Sequence, residues 1–419
     1  MAHITLKVTE TLLRAPIAAA LVVALAALVP AAPVFAQAKP TNSAKLAKPL
    51  KEAQEDLKNK KYSEAIAKLT AAEGIAGKTA YDQHLINDFL TFAYVRTQNY
   101  PEAAKAMEAE VGDGFLAAAD LPQKVRGLAE VNYQIKNYDK AIEFGTRAIK
   151  GGYADEELRK LVGQAYYLKG DWKSTLHFEG GLVDSAIKSG ATPSSESLQL
   201  ILSSCVKLDD TQCTTRALER MVTYYPKPDY WYQLLYSISK QTAASDANTL
   251  QTFRLMSEVD VLRNPDDYSE MAQLALEAGS PGEAEHILEK AFQKNVFTDQ
   301  RSKDKNTRLL TKAKQAASVD QATLPKSEKE ADAAPTGAKN VGMGIAYLGY
   351  QQYDKAAGEL SKGISKGGLR NATEAQLLLG IAQLKAGHKE DAVKAFHAVK
   401  GDPILERLAG LWALHARQA

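Results

Sequence analysis

Four segments of this chain nearly superimpose: YSEAIAKLTAAE from Tyr62, YPEAAKAMEAE from Tyr100, YDKAIEFGTRAI from Tyr138 and YDKAAGELSKGI from Tyr353. Each has an aromatic residue, two polar residues and a small residue that opens an amphipathic helical pattern. The small residues are Ala65, Ala103, Ala141 and Ala356, and Thr175 (after Trp172), Ala284 and Ala392 occupy equivalent positions. Cys213 and Ala247 fill the remaining slots less cleanly. Successive anchors lie 38, 38, 34, 38, 34, 37, 72 and 36 residues apart, and 72 is two periods. The double gap predicts a degenerate or remodelled unit over Phe297 to Lys339. A fixed period of this length is the signature of a repeat array, in which no unit buries its apolar face alone.

A second helical pattern lies upstream of each anchor, with its own small residue: Gly163, Ala272, Gly344 and Gly380. Two antiparallel helices approach closely only where small side chains face each other, and Gly, Asp or Asn turns the chain between them. No run of β-branched residues reads as a strand. The expected fold is therefore all-α, a stack of helical hairpins.

Aromatic, small residue and period together resemble the tetratricopeptide repeat (TPR) family over nearly all of the chain after residue 36. The resemblance implies a right-handed superhelix with a concave groove lined mainly by first helices, used to hold peptides, helices or domains of other proteins. Groove positions expected on that basis are Asp88, Phe92, Arg96, Gln164, Leu168 and Gln273. Units near 195–224 and 228–255 match poorly. The expected organisation is a leader at 1–36, an array of about seven hairpins at 37–300, a charged helix and loop or degenerate repeat at 301–339 able to split the array into two lobes, and a terminal repeat pair at 340–419. ILERLAGLWALHARQA at the end reads as a capping helix, apolar on one face and polar outward.

Lys7 and Arg14 precede an apolar run from Ala15 to Val29, and Pro30 and Pro33 lie just beyond it. Val34 and Ala36 stand at the −3 and −1 positions of a signal-peptidase site before Gln37. A cleaved leader and a periplasmic protein with no lasting membrane insertion are expected. The competing reading is an uncleaved anchor, since Ala15 to Ala36 could just span a bilayer. Cys205 and Cys213 are the only cysteines. In an oxidising compartment they form a disulfide candidate, because one falls late in a helix and the other early in its antiparallel partner. Two small core residues are the alternative. The net charge of +2, with both signs interleaved, offers no bulk attraction for nucleic acid.

Several matches mislead. Ala72 to Thr79 satisfies a loose nucleotide-binding P-loop pattern, but it joins two helices where a P-loop comes after a strand. Gly363-Ile-Ser365-Lys-Gly367 resembles a nucleophile elbow, yet Ser365 lies at a helix end where glycines cap. His84, His177, His286, His388, His397 and His415 show no metal-ligand spacing and read as surface helix residues. Asn371-Ala-Thr373 is a glycosylation sequon without expected use in a bacterial chain. Tyr224 to Tyr236 is the densest aromatic stretch, with Trp231 either core filling or an interface anchor. That stretch resembles periplasmic TPR proteins accompanying TonB, ExbB and ExbD. No nucleophile, base and orienting group can be assembled, so no enzyme and no cofactor is expected. The function expected is a protein-binding scaffold for envelope machinery, energy transduction first; the alternatives are a glycan or peptidoglycan binder, or an accessory of outer-membrane assembly or export.

Overall fold

A computed structural model of the chain describes residues 41–242 and 245–418; the leader and the Ala36–Gln37 cleavage point lie outside the described residues. Among the described residues every regular element is a helix. Contacts divide the chain into two compact units, 1–217 and 218–419. The boundary falls inside a repeat, within residues 211–224.

Unit 1 stacks hairpins of α1 (Ala44–Lys58) with α2 (Tyr62–Glu73), α3 (Ala80–Arg96) with α4 (Tyr100–Gly112), α5 (Leu121–Gln134) with α6 (Tyr138–Lys150), and α7 (Glu156–Lys169) with α8 (Trp172–Lys188). It ends with α9 (Ser195–Lys207) and the start of α10 (Thr211–Tyr224). Unit 2 takes up the rest of α10, then α11 (Pro228–Thr242), α12 (Asp246–Glu258), α13 (Pro265–Glu277) and α14 (Pro281–Gln293). After these come α15 (Gln300–Ala333), α16 (Ala338–Gly349), α17 (Tyr353–Lys366), α18 (Ala372–Lys385), α19 (Lys389–His397) and α20 (Pro403–Gln418).

The hairpins share one turn. Lys60, Gln98, Lys136, Asp209 and Gln351 all adopt a left-handed backbone, with φ between 54° and 62°, two residues before the second helix starts. Gly170, Gly279 and Gly387 take the same place in other hairpins. The next N–H reaches back five residues, as in Lys61 to Asp56 at 2.8 Å and Asn99 to Tyr94 at 2.8 Å. This is a Schellman closure, which satisfies carbonyls that a helix end would leave bare. A non-glycine residue in this region costs about 1 kcal/mol, so five such residues indicate a turn imposed by the packing around it.

The turn fixes the register of the second helix. The slot five residues after the left-handed position is Ala65, Ala103, Ala141, Thr175, Ala284, Ala356 and Ala392, each fully buried. The same register corrects two assignments. In α10 the slot belongs to Thr214, whose N–H bonds to Asp210 O at 2.9 Å, while Cys213, one residue earlier, is bonded to Cys205 of α9. In α12 it belongs to Thr249, bonded to Ser245 O at 2.8 Å and buried, whereas Ala247 is exposed. First-helix glycines answer the residue four positions after the slot: a Cβ on Gly380 would lie 2.5 Å from the Phe396 ring.

The remodelled unit at 297–339 is the single 34-residue helix α15, which continues through Pro325. Its last turn is bound by Lys366, whose Nζ donates to Ala331 O at 2.8 Å. The P-loop-like stretch is a helix junction: α2 ends at Glu73, Lys78 donates to Glu73 O, and Thr79 caps α3 in a capping box with Asp82. Ser365 lies in the last turn of α17, before Gly367 with φ 70°. No described helix is long and apolar enough to cross a membrane.

The last helix departs from the expected cap. Leu405, Leu408, Leu411, Trp412 and Ala416 of α20 are buried, and Trp412 is only 1% exposed. Besides α18 and α19, α20 packs against α12. Arg407 Nε donates to Glu219 Oε1 of α10 at 2.7 Å, and Gln418 donates to Val222 O at 2.9 Å. Glu258 of α12 holds Lys385 of α18 at 2.6 Å and faces His415 of α20 at 3.7 Å. Unit 2 thus closes its end onto its beginning.

Candidate protein-binding face

The first helices of unit 1 meet along one face, joined by a relay of polar contacts. Lys124 of α5 donates to Asp88 of α3 at 2.7 Å. Tyr133 of α5 donates to Gln164 of α7 at 2.7 Å, and Gln164 donates to Glu196 of α9 at 2.5 Å. Tyr167 and Ser203 share a hydrogen bond of 2.6 Å. Partners in this relay are 31 to 36 residues apart, about one repeat.

Between α1, α3 and α5 the face is indented by a cavity of about 260 Å³, lined by Leu57, Lys58, Asp88, Phe89, Phe92 and Lys124 among others. Helical spacing explains the set: Asp88, Phe92 and Arg96 are four residues apart and share one stripe of α3. The Phe92 ring lies edge-on to Tyr62 at 6.2 Å, and the Arg96 guanidinium stands 5.1 Å from its centroid. Beneath the stripe, Glu110 is buried with Lys124 Nζ 2.7 Å away. Burial pushes the Glu110 carboxyl above its ordinary value despite Lys124. Burial opposes the charge on Lys124, but Asp88 and Glu110 outweigh it and raise its pKa. A lysine anchored from two sides and flanked by aromatic rings offers a fixed charge and apolar edges to a bound chain.

The sequence-expected residues separate into groups. Asp88, Phe92 and Arg96 come together at the cavity mouth or beside it. Gln164 lies further along the relay, and Leu168 is half-buried one turn later. Gln273 is exposed on α13 in unit 2. Trp231 is a correction: it is 4% exposed, with its ring edge-on to His415 of α20 at 6.4 Å, so it is core and not an open anchor. Tyr232 and Tyr236 stack at 5.8 Å and are covered by Arg263 and Lys240. Phe89, Lys58 and Lys124 are not evident from sequence patterning, although a charge complementary to Asp88 one period downstream is a usable signal.

The two cysteines, Cys205 and Cys213, are bonded, with Cα atoms 5.4 Å apart. Of the histidines, His177, His286, His388 and His397 are exposed, while His84 and His415 are half-buried. His84 bonds Asp113 at 2.9 Å and packs against Tyr81 and Phe115. Among the described residues no group of His, Cys, Asp and Glu could hold a metal ion.

No curated protein matches the sequence. Among solved structures, a Naa15/Naa10 complex bound to HypK is similar, with a TM-score of 0.40 and 15% identity over 88% of this chain. This chain spans 60% of that one. A tetratricopeptide repeat protein from Parabacteroides merdae gives a TM-score of 0.29 and 14% identity, covering 72% of this chain and 99% of its own. The TPR2AB domain of yeast Sti1, in complex with pHSP90, gives 0.25 and 16%, covering 72% and 100%. The tetratricopeptide repeat family model matches residues 93–157, which run from the end of α3 through α6 to the start of α7. Over that stretch the chain is similar to the tetratricopeptide repeat family.

Proposed function

We propose that the protein is a non-catalytic scaffold that holds a segment of another protein along the first-helix face of unit 1. The observation that carries this reading is the cavity between α1, α3 and α5, where Phe89 and Phe92 stand beside the doubly held Lys124. Half-buried aromatic edges with one oriented cation suit an extended or helical peptide bearing an apolar side chain next to a carboxylate. A preformed face of this kind also lowers the ordering cost of binding.

The site of action we put forward is the periplasm, on the leader-like residues 1–36 and on the disulfide. The first partner to seek is a component of the TonB, ExbB and ExbD machinery, on the sequence resemblance around Trp231. The burial of Trp231 and the cations covering Tyr232 and Tyr236 favour a protein partner over a glycan, which needs an open aromatic platform.

In-cell crosslinking and pull-down of wild type beside Phe92→Ala and Lys124→Glu tests the proposal. A specific envelope protein should be captured by wild type and lost with both variants. Capture that is unchanged by either substitution would move the site away from this face.

A further inference from the structure

The register that defines the repeats exposes one charged residue where an apolar one belongs. Four residues after the small slot, the second helix presents an apolar knob to its partner: Leu69, Met107, Leu288 and Leu360 are examples, all buried. In α6 the position is Gly145, and in α8 it is Glu179, a carboxylate 2% exposed. The facing residue on α7 is Gly163, where an added Cβ would stand 1.7 Å from Glu179 Oε1. Glycine is required there because the Glu179 head occupies the space of a side chain. The carboxylate's Oε2 is buried and has no hydrogen-bond partner. A core position that gives up an apolar knob for a carboxylate with one oxygen unanswered conflicts with packing, and such conflicts concentrate at functional sites.

Glu179 borders a cavity of about 550 Å³ between α7, α8 and α9. Its charged lining is Glu156, Arg159 and Lys160 from α7, Glu179 from α8 and Glu196 from α9, three carboxylates against two cations. Lys160 is already engaged, 2.9 Å from Glu156 and 3.5 Å from Glu157. Glu196 accepts from Gln164. Even with Arg159 counted, the three carboxylates outnumber the two cations by one, so the lining lacks one positive charge.

We propose that this cavity binds a compact organic cation, a primary ammonium or guanidinium group, with buried Glu179 as its counter-ion. The group could come from a free amine or from a Lys or Arg side chain of a bound polypeptide. The site lies on the second-helix side of its hairpin and does not depend on the scaffold reading above. Burial pushes the Glu179 carboxyl up to about 7; the Ser197 hydroxyl lowers it and Glu196 adds to the rise. An entering cation favours the ionised form, so binding at neutral pH expels a proton from Glu179. Affinity should therefore rise with pH through 7 and level off above it.

Isothermal titration of the folded protein with 1,5-diaminopentane, and separately with an end-blocked lysine tripeptide, tests the site. The expected result is binding by at least one amine, about tenfold tighter at pH 8 than at pH 6. Proton release should appear as a dependence of the heat on buffer ionisation enthalpy. 1-Pentanol, with the same chain and no charge, should not bind. Glu179→Gln should weaken binding at least about tenfold. Preference for the diamine would assign a free amine, and preference for the peptide a chain-borne lysine. If Glu179→Gln fails to fold, carboxyl NMR of the wild type replaces it, and the amine must then lower the Glu179 titration midpoint. Absence of binding by both amines at about 10 mM, binding insensitive to Glu179→Gln, or an unmoved midpoint overturns the proposal.

Discussion

Units 1 and 2 use the same hairpin, but only unit 2 brings its last helix back to its first. In unit 1 the first helices meet through Lys124–Asp88 and Tyr133–Gln164–Glu196, and a cavity opens on that face. In unit 2, α20 lies against α12 and is tied to α10, with Trp231 and Trp412 sealed on either side of His415. The difference teaches where a repeat array keeps binding surface. A stack that ends without closure leaves a face of its helices available, whereas a stack that closes buries the helices it meets, here α10 and α12. The Arg254–Glu283 pair points the same way: Arg254 is buried and forked onto one carboxylate at 2.7 and 2.6 Å, a structural use of charge.

The largest expected effect falls on closure. Trp412→Ala removes a fully buried indole and should cost about 3–5 kcal/mol, lowering the melting of unit 2 while unit 1 keeps its own. A calorimetric scan resolves this, and one merged shift of both units would contradict the division of the chain at 217. Next is the Cys205–Cys213 bond, which closes a short loop in unit 1. Cys213→Ser should cost about 2–3 kcal/mol by loop entropy, seen as a lowered denaturant midpoint for unit 1 only.

A third effect is pH-dependent and belongs to unit 2. Burial works against the charged Glu258, but His415 and Lys385 overcome it and bring the carboxyl down to about 2 from an ordinary 4.5. A depressed carboxyl stabilises fully above its unfolded pKa and loses that stabilisation as pH falls towards the folded one. Unit 2 should weaken between about pH 4.5 and 2 by on the order of 2 kcal/mol, and Glu258→Gln should remove most of that slope. Urea midpoints across the range decide it. The smallest effect concerns unit 1: Asp88→Asn should change stability by less than about 1 kcal/mol yet weaken partner capture. A large loss of stability in this variant would mean that Asp88 is architecture more than recognition.

Much of the fold is legible in the sequence because the turn repeats. The aromatic and small residues are separated by fixed numbers of positions, and the left-handed residue before them sets helix starts at Tyr62, Tyr100, Tyr138 and Tyr353, where the sequence pattern places them. The assignment slips at α10 and α12, where threonine replaces alanine in the slot and a nearby Cys213 or Ala247 looks smaller. Closure by α20 is not legible, since an amphipathic terminal helix has the same pattern whether it caps one neighbour or bridges several. The site is legible in part: Asp88 and Phe92 come from helical phase, but Lys124 depends on knowing which residue one repeat away faces Asp88. Glu179 escapes notice because a glutamate in a helix is ordinary until its register shows that it stands where leucine belongs.

The one-repeat spacing of polar partners bears on how such a chain could be rearranged. Asp88 meets a lysine in the next repeat, Tyr133 a glutamine and Gln164 a glutamate, so each junction is matched by different chemistry. Exchanging two repeats, or deleting one, would set unmatched groups against each other even though every hairpin kept its own fold. The order of the units is thus written in the side chains at their junctions, as a sequence of lock and key pairs, and the array behaves less like a string of interchangeable beads than like a word whose letters cannot be transposed.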